Sequence, residues 1–163
     1  MAPQIEVFDT QLKEMTMYKR ILVATDGSEL SEKAVQHALS LADLCAAELV
    51  AMRVVPHYPE TYFEGGVALA RQDIEAVEKQ WEAEAQANVN AVRSEGQKRQ
   101  VKVKALTVKA DMVGEAIVAA AQQHKADLVV MASHGRKGIK RLLLGSETQH
   151  VLTHSHTPVL VLR

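Results

Sequence analysis

Short apolar runs alternate along the chain with longer stretches whose apolar positions recur every three or four residues. Ile21-Leu-Val-Ala-Thr25 is brief, branched and apolar, as expected of a strand covered on both faces. The next stretch places Leu30, Ala34, Ala38, Leu41 and Cys45 on one helical face, with Asp26 and Glu29 spaced as a capping box at its start. Glu48-Leu-Val-Ala-Met-Arg-Val-Val55 is a second strand, stopped by Pro56. A loop over 57–66 leads to a long helix, roughly 68–95, with Ile74, Val77, Trp81, Ala85, Asn88 and Val92 on one face and Gly96 as its C-terminal cap. Val101-Lys-Val-Lys-Ala-Leu-Thr-Val108 alternates in its first half, as an edge strand guarded by lysines does. Asp111 is placed to start a helix with Val113, Ile117, Ala120 and His124 inward. Residues 127–132 form a fourth strand and 158–163 a fifth.

Strands that alternate with helices imply a parallel sheet covered on both faces. The predicted fold class is therefore α/β: one domain, a three-layer sandwich around a five-stranded parallel sheet. Residues 1–17 carry no clear period and read as an N-terminal extension; an arm, an upstream start and a disordered tail all fit. The domain proper spans 18–163. Open sheets of this kind take ligands at the carboxyl ends of strands, where the strand order reverses. Two strands here end in polar, glycine-bearing turns, Thr25-Asp26-Gly27 and Ser133-His134-Gly135. If those strands are neighbours, both turns line one crevice.

The second turn opens a loop with glycines at 135, 138 and 145, a basic cluster of Arg136, Lys137, Lys140 and Arg141, and Ser146 at the head of a short helix. Glycines admit close backbone approach, and a helix start offers unpaired amides to an anion. A P-loop is not present, because Gly138 and Gly145 are six residues apart and Gly145-Ser146 lacks the lysine. Two readings remain: a nucleotide phosphate held by loop and helix amides, or a basic surface loop whose glycines only permit turns. Ser146 with Gln149 fits a capping box, which alone would account for the serine. Glu147 would repel a triphosphate unless a divalent cation intervenes or the side chain points away. Asp26 is equally suited to capping a helix, to accepting hydrogen bonds from a ribose or adenine edge, and to holding a metal. His150 and His154 stand one helical turn apart, but no third metal ligand is specified, so no metal site is assigned. No catalytic residue is assigned either, since spacing supports neither a Ser-His-Asp nor a Cys-His arrangement.

Composition narrows the field. The 163 residues include 47% apolar and 24% charged, with net charge −1, which gives no general attraction to nucleic acid or anionic membrane. Aromatics are only 4%, too few for base-stacking platforms, so nucleic acid is not an expected partner. Cys45 is the single cysteine, which rules out a disulfide framework. Residues 1–17 lack the form of a signal peptide and no apolar run approaches membrane-spanning length, so a cytoplasmic protein without a membrane partner is expected.

Residues 18–28 (Tyr-Lys-Arg-Ile-Leu-Val-Ala-Thr-Asp-Gly-Ser), 126–135 (Ala-Asp-Leu-Val-Val-Met-Ala-Ser-His-Gly), Leu144-Gly-Ser146 and Thr157-Pro-Val-Leu-Val161 together resemble the universal stress proteins. The likeness runs over about 18–163 in the same order. It implies a Rossmann-like sandwich of the adenine nucleotide alpha hydrolase-like type, a homodimer, and, in some members, ATP with or without Mg2+. The family's ATP motif is a glycine, two residues, a glycine, nine residues, a glycine and a serine or threonine. Gly135, Gly145 and Ser146 match its last three landmarks, while the first glycine falls on Ala132, whose methyl group would crowd the nucleotide. The resemblance further implies that Ala24 and Asp26 meet the adenosine, Val54 the adenine, and Met131 and Ala132 the ribose. By the same matching Gly135, Gly145, Ser146, Glu147 and Thr148 would meet the phosphates.

The expected function is that of a stress-response protein binding an adenine nucleotide at the ends of strands 1 and 4. It would act as a homodimeric switch or adaptor, paired through the C-terminal strand and read by a protein partner the sequence does not identify. The alternatives are a slow ATPase and a family member that binds no nucleotide and works by protein contacts alone. Enzymatic activity is left open, with the balance toward none.

Overall fold

The computed structural model describes residues 17–58, 71–135 and 144–163. The expectations placed on residues 1–16, 59–70 and 136–143, including the basic cluster and Gly138, lie outside the described residues. Five strands alternate with four helices: β1 (Arg20–Ala24), α1 (Glu29–Cys45), β2 (Glu48–Val55), α2 (Arg71–Lys98), β3 (Val103–Lys109), α3 (Val113–Gln123), β4 (Leu128–Ala132), α4 (Ser146–His154) and β5 (Val159–Leu162). All neighbouring strands are parallel, in the order β3-β2-β1-β4-β5. The α/β class, the five-stranded parallel sheet and the edge position of β3 are as the sequence predicts.

Two apolar layers cover the sheet. Ile21, Val23, Leu49, Ala51, Leu128 and Val130 face Ala34, Val35, Ala38 and Leu39 of α1 and Val92 of α2. Leu22, Val50, Met52, Val129 and Met131 face Ile117, Ala120 and Ala121 of α3 and Val151 of α4. Alternate residues of one strand thus enter opposite cores, which is why β1, β2 and β4 read as continuous apolar runs instead of alternating ones. Among the described residues, no helix is long and apolar enough to cross a membrane.

Four details of the helix ends differ from the sequence reading. Ser28, not Asp26, caps α1, its hydroxyl accepting from the Ser31 amide at 3.3 Å. Helix α2 runs past Gly96 to Lys98, so Gly96 is not its cap. A Cβ there would overlap Cγ2 of Val103 and sit 3.1 Å from the Val101 carbonyl oxygen, so glycine serves close helix–strand packing. The left-handed turn falls on Gln100 instead, at φ 59°. Met112 occupies the N-cap of α3 without a side-chain bond, while Asp111 accepts from the His57 backbone amide at 3.1 Å and bonds its ring Nδ1 at 2.9 Å. Gly145 is the N-cap of α4, which makes Ser146 the first helical residue and leaves no Ser146 capping box.

The predicted faces are right in part. In α1 the buried set is Ser31, Ala34, Val35, Ala38, Leu39 and Ala42, so the stripe is rotated from the Leu30–Leu41–Cys45 line. In α2 it is Ala85, Val89, Val92 and Gly96. Four of the six buried positions of α1 are serine or alanine, and those of α2 are alanine, valine and glycine.

Candidate functional site

The strand order reverses between β1 and β4, which pair through Ile21↔Leu128, Leu22↔Val129 and Val23↔Val130. The loops leaving these two strands turn to opposite faces, so a crevice opens at their carboxyl ends. Both glycine-bearing turns lie there.

A short hydrogen-bond network shapes the first turn. The Thr25 amide donates to the Met52 carbonyl at 2.9 Å, extending the β1–β2 ladder by one residue. Thr25 Oγ1 accepts from the Gly27 amide at 3.2 Å and contacts Ser31 Oγ at 3.1 Å; Ser31 Oγ donates to the Ser28 carbonyl at 2.9 Å. Both hydroxyls are buried. Asp26 Oδ1 accepts from the Ser28 amide at 3.0 Å, an Asx turn that fixes the carboxylate above the end of β1. Gly27 takes φ 74°, which the turn requires and glycine supplies without strain.

The second turn meets the first. A Cβ built on Gly135 would lie 2.7 Å from Asp26 Oδ2, so only glycine fits beside the carboxylate as it stands. Ser133 Oγ and His134 Nδ1 are 3.1 Å apart, and the Ser133 amide donates to the Leu162 carbonyl at 2.8 Å, tying the turn to β5. The Ser133 carbonyl accepts from the Gly145 amide at 2.8 Å. A Cβ on Gly145 would stand 3.2 Å from that carbonyl oxygen and 3.3 Å from His134 Cα. Gly145 is thus the point at which the returning chain presses on the end of β4.

Helix α4 starts at that point. Its N-cap glycine offers no side chain to the first-turn amides, and among the described residues none caps them at the crevice end of the sheet. Thr148 is buried, and its hydroxyl donates to the Ala132 carbonyl at 3.0 Å, anchoring the first turn to β4. Glu147 turns away: its Oε2 accepts from the Gly114 amide of α3 at 2.6 Å.

Of the remaining residues singled out in the sequence, Ala24, Val54 and Met131 share the sheet face covered by α3 and α4. Ala24 and Val54 are half-buried and Met131 is buried. Ala132, the last residue of β4, is buried, and by strand alternation its methyl group lies on the opposite, α1 face. The structure therefore gathers Asp26, Gly135, Gly145 and Ser146 around the crevice, sets Ala24, Val54 and Met131 along one face of its floor, and gives the side chains of Thr148 and Glu147 to neighbouring elements.

Several contributors escaped the sequence. Thr25 and Ser31 underlie the Asp26 turn, and their signal is weak: two hydroxyl residues six positions apart across a strand–helix junction. The Glu147–Gly114 bond joins residues 33 apart and has no local signature. At the ends of β2 and β3, His57 holds Asp111 and so keeps that carboxyl below the usual carboxylate range. Tyr58 stacks on Trp81 with ring centroids 6.0 Å apart. Among the described residues, no group of three or more His, Cys, Asp and Glu could hold a metal ion. The His150 and His154 rings lie stacked 4.1 Å apart, faces together rather than nitrogens converging.

Comparison with known proteins agrees with this architecture. The model of the Universal stress protein family matches residues 17–163. A universal stress protein of Methanocaldococcus jannaschii is 34% identical over 147 residues, covering 90% of this chain and 83% of its own. The solved structure of a second protein of that organism is 31% identical, covers 90% of this chain and 96% of its own, and superposes with a TM-score of 0.73. A universal stress protein solved in complex with cAMP shares the fold at a TM-score of 0.60 and 24% identity, over 90% of this chain and 97% of its own. With its motifs, sheet order and near full-length match in agreement, this chain belongs to the universal stress protein family.

Proposed function

We propose that this chain binds an adenine nucleotide, ATP or a shorter relative, in the crevice between the ends of β1 and β4. One observation carries the reading: Gly135 lies so close to Asp26 that a methyl group would displace the carboxylate, at the same edge where Gly145 brings in the uncapped start of α4. Asp26 takes the ribose or the adenine edge. Ala24, Val54 and Met131 supply the apolar and backbone surface beside the base and ribose, with Ala132 at the ribose end. The backbone of Gly135 and the first-turn amides of α4, at Ser146, Glu147 and Thr148, take the phosphates, with Gly145 giving room. Mg2+ would enter with a triphosphate to offset its charge. The fold relative that holds cAMP supports use of this fold for adenine nucleotides; the case for this chain rests on its own crevice.

The protein then works as a switch or adaptor in stress response, with nucleotide altering the surface presented to a protein partner. Pairing of two copies through β5, an edge strand with Leu160 exposed, would make it a homodimer. Protein purified under native conditions and then denatured should release an adenine nucleotide. Nucleotide-free protein with no affinity for ATP or AMP in the presence of Mg2+ would overturn the reading.

Ala132 favours a second reading, in which the chain works by protein contacts without nucleotide. Ala132→Gly separates the two. A rise in affinity of roughly tenfold, about 1.4 kcal/mol, marks the methyl group as an obstacle. No change shows that the site accommodates alanine.

A further inference from the structure

The first turn of α4 carries a carboxylate that serves a different helix. Helix α3 begins at Val113 with Met112 as its N-cap, and Met112 makes no side-chain cap bond. The missing acceptor comes from α4: Glu147 Oε2 takes the Gly114 amide at 2.6 Å, a short bond of the kind formed by a charged acceptor. The two helix starts are held together closely. A Cβ on Gly114 would stand 2.9 Å from both Cβ and Cδ2 of His150, so the glycine lets the α4 side chain lie on the α3 backbone. Glu147, itself exposed, is thereby drawn onto α3 and away from the crevice.

The consequence is electrostatic. A helix start carries a partial positive charge of about half a unit, which is what draws an anion to it. A full negative charge in the same turn opposes that attraction, and fixing it on α3 turns the carboxylate aside without removing its field. The opposition grows with the charge of the ligand: a nucleoside monophosphate feels it less than a triphosphate, and a divalent cation on the phosphates cancels it.

We propose that Glu147 is a positioning residue that selects ligands of the nucleotide site by charge: held on the Gly114 amide, it disfavours each added phosphate unless a divalent cation accompanies it. This rests on the site assignment given under the proposed function. The ligand class it points to is the nucleoside monophosphates together with metal-complexed triphosphates, as against the free triphosphate.

Titration of AMP and ATP, in chelator and then in excess Mg2+, into wild type, Glu147→Gln and Glu147→Ala tests this, with amide exchange at Gly114 followed in parallel. Glutamine keeps an acceptor for the amide and removes the charge. In chelator, Glu147→Gln should raise affinity for ATP over that for AMP by on the order of fivefold. Mg2+ should largely abolish that gain, and Gly114 exchange should stay slow. Glu147→Ala should show the same shift in selectivity but faster exchange at Gly114. An ATP-to-AMP ratio unchanged by glutamine would overturn the charge selection while leaving the site in place. Absence of binding to all three proteins would overturn the site itself, and the selection with it.

Discussion

At the scale of single residues, the described part of the crevice turns on Gly135 and Asp26. Asp26 Oδ1 is tied to the Ser28 amide and Oδ2 lies where a Cβ of residue 135 would stand. Gly135→Ala should therefore push the carboxylate out of place. The aspartate can swing aside, so the cost in stability should stay below about 1 kcal/mol. Loss of a hydrogen bond to a charged group is worth about 1.5–3 kcal/mol, so nucleotide affinity should fall at least tenfold. Calorimetric titration set beside thermal unfolding checks this, and a large loss of stability with unchanged affinity would reverse the assignment. The sequence made this partnership half legible. Both turns announce themselves by their glycines and by following apolar runs. That one glycine makes room for the other turn's carboxylate depends on β1 and β4 being neighbours, a pairing across 107 residues that no local pattern encodes. The hydroxyl pair Thr25 and Ser31 stayed hidden for a related reason: buried hydroxyls resemble surface ones in a sequence until their partners are known.

At the scale of elements, helix interiors were readable and helix ends were not. Periodicity located three of the helices, because burying one face governs where apolar residues fall, while the short α4 was expected from its start at Ser146. Caps are decided by tertiary partners. Asp111 looks like an N-cap and instead holds His57; Ser146 looks like one and yields to Gly145; α3 takes its cap from Glu147 on another helix. Gly96 shows the same override. It reads as a helix stop and serves as the flat place where α2 meets β3. Gly96→Ala should gain helix propensity but overlap the stiff Val103 side chain and crowd the Val101 carbonyl. The net effect should be a destabilisation of about 1–3 kcal/mol in denaturant unfolding. Nucleotide affinity should not change, since this contact lies at the amino-terminal end of β3, away from the crevice. A stabilised Gly96→Ala protein would mean that the helix–strand contact leaves room for the methyl group and that helix propensity decides the outcome.

At the scale of the whole molecule, the sheet holds its crevice end and the opposite end by different means. The carboxyl ends of β1 and β4 carry turns, glycines and a helix start. The amino-terminal end is closed by ion pairs of Glu48 with Lys102 and Arg20, and by hydrogen bonds to Asp127 from the Lys19 amide at 2.8 Å and the Arg20 amide at 3.2 Å. Lys102 first and Arg20 second hold the Glu48 carboxyl below its ordinary range, as His57 does for Asp111 and Lys109 for Glu78. Each of these groups has its folded pKa depressed, so its stabilisation is present above the ordinary carboxylate range and is lost as pH falls through the folded value. These carboxylates accordingly predict a decline in stability below about pH 4. Glu48→Gln should lower stability at pH 7 and make the acid decline shallower, as read by unfolding at a series of pH values. An unchanged acid slope would show that the pair is solvated and contributes nothing.

The most direct measurement is amide chemical-shift mapping of nucleotide-free protein titrated with ATP and Mg2+. The proposed site predicts saturable shifts confined mainly to Ala24, Asp26, Gly135, Gly145, Ser146 and Thr148, with smaller ones at Gly114 through Glu147. Shifts absent at saturating nucleotide, or clustered away from the ends of β1 and β4, would contradict it.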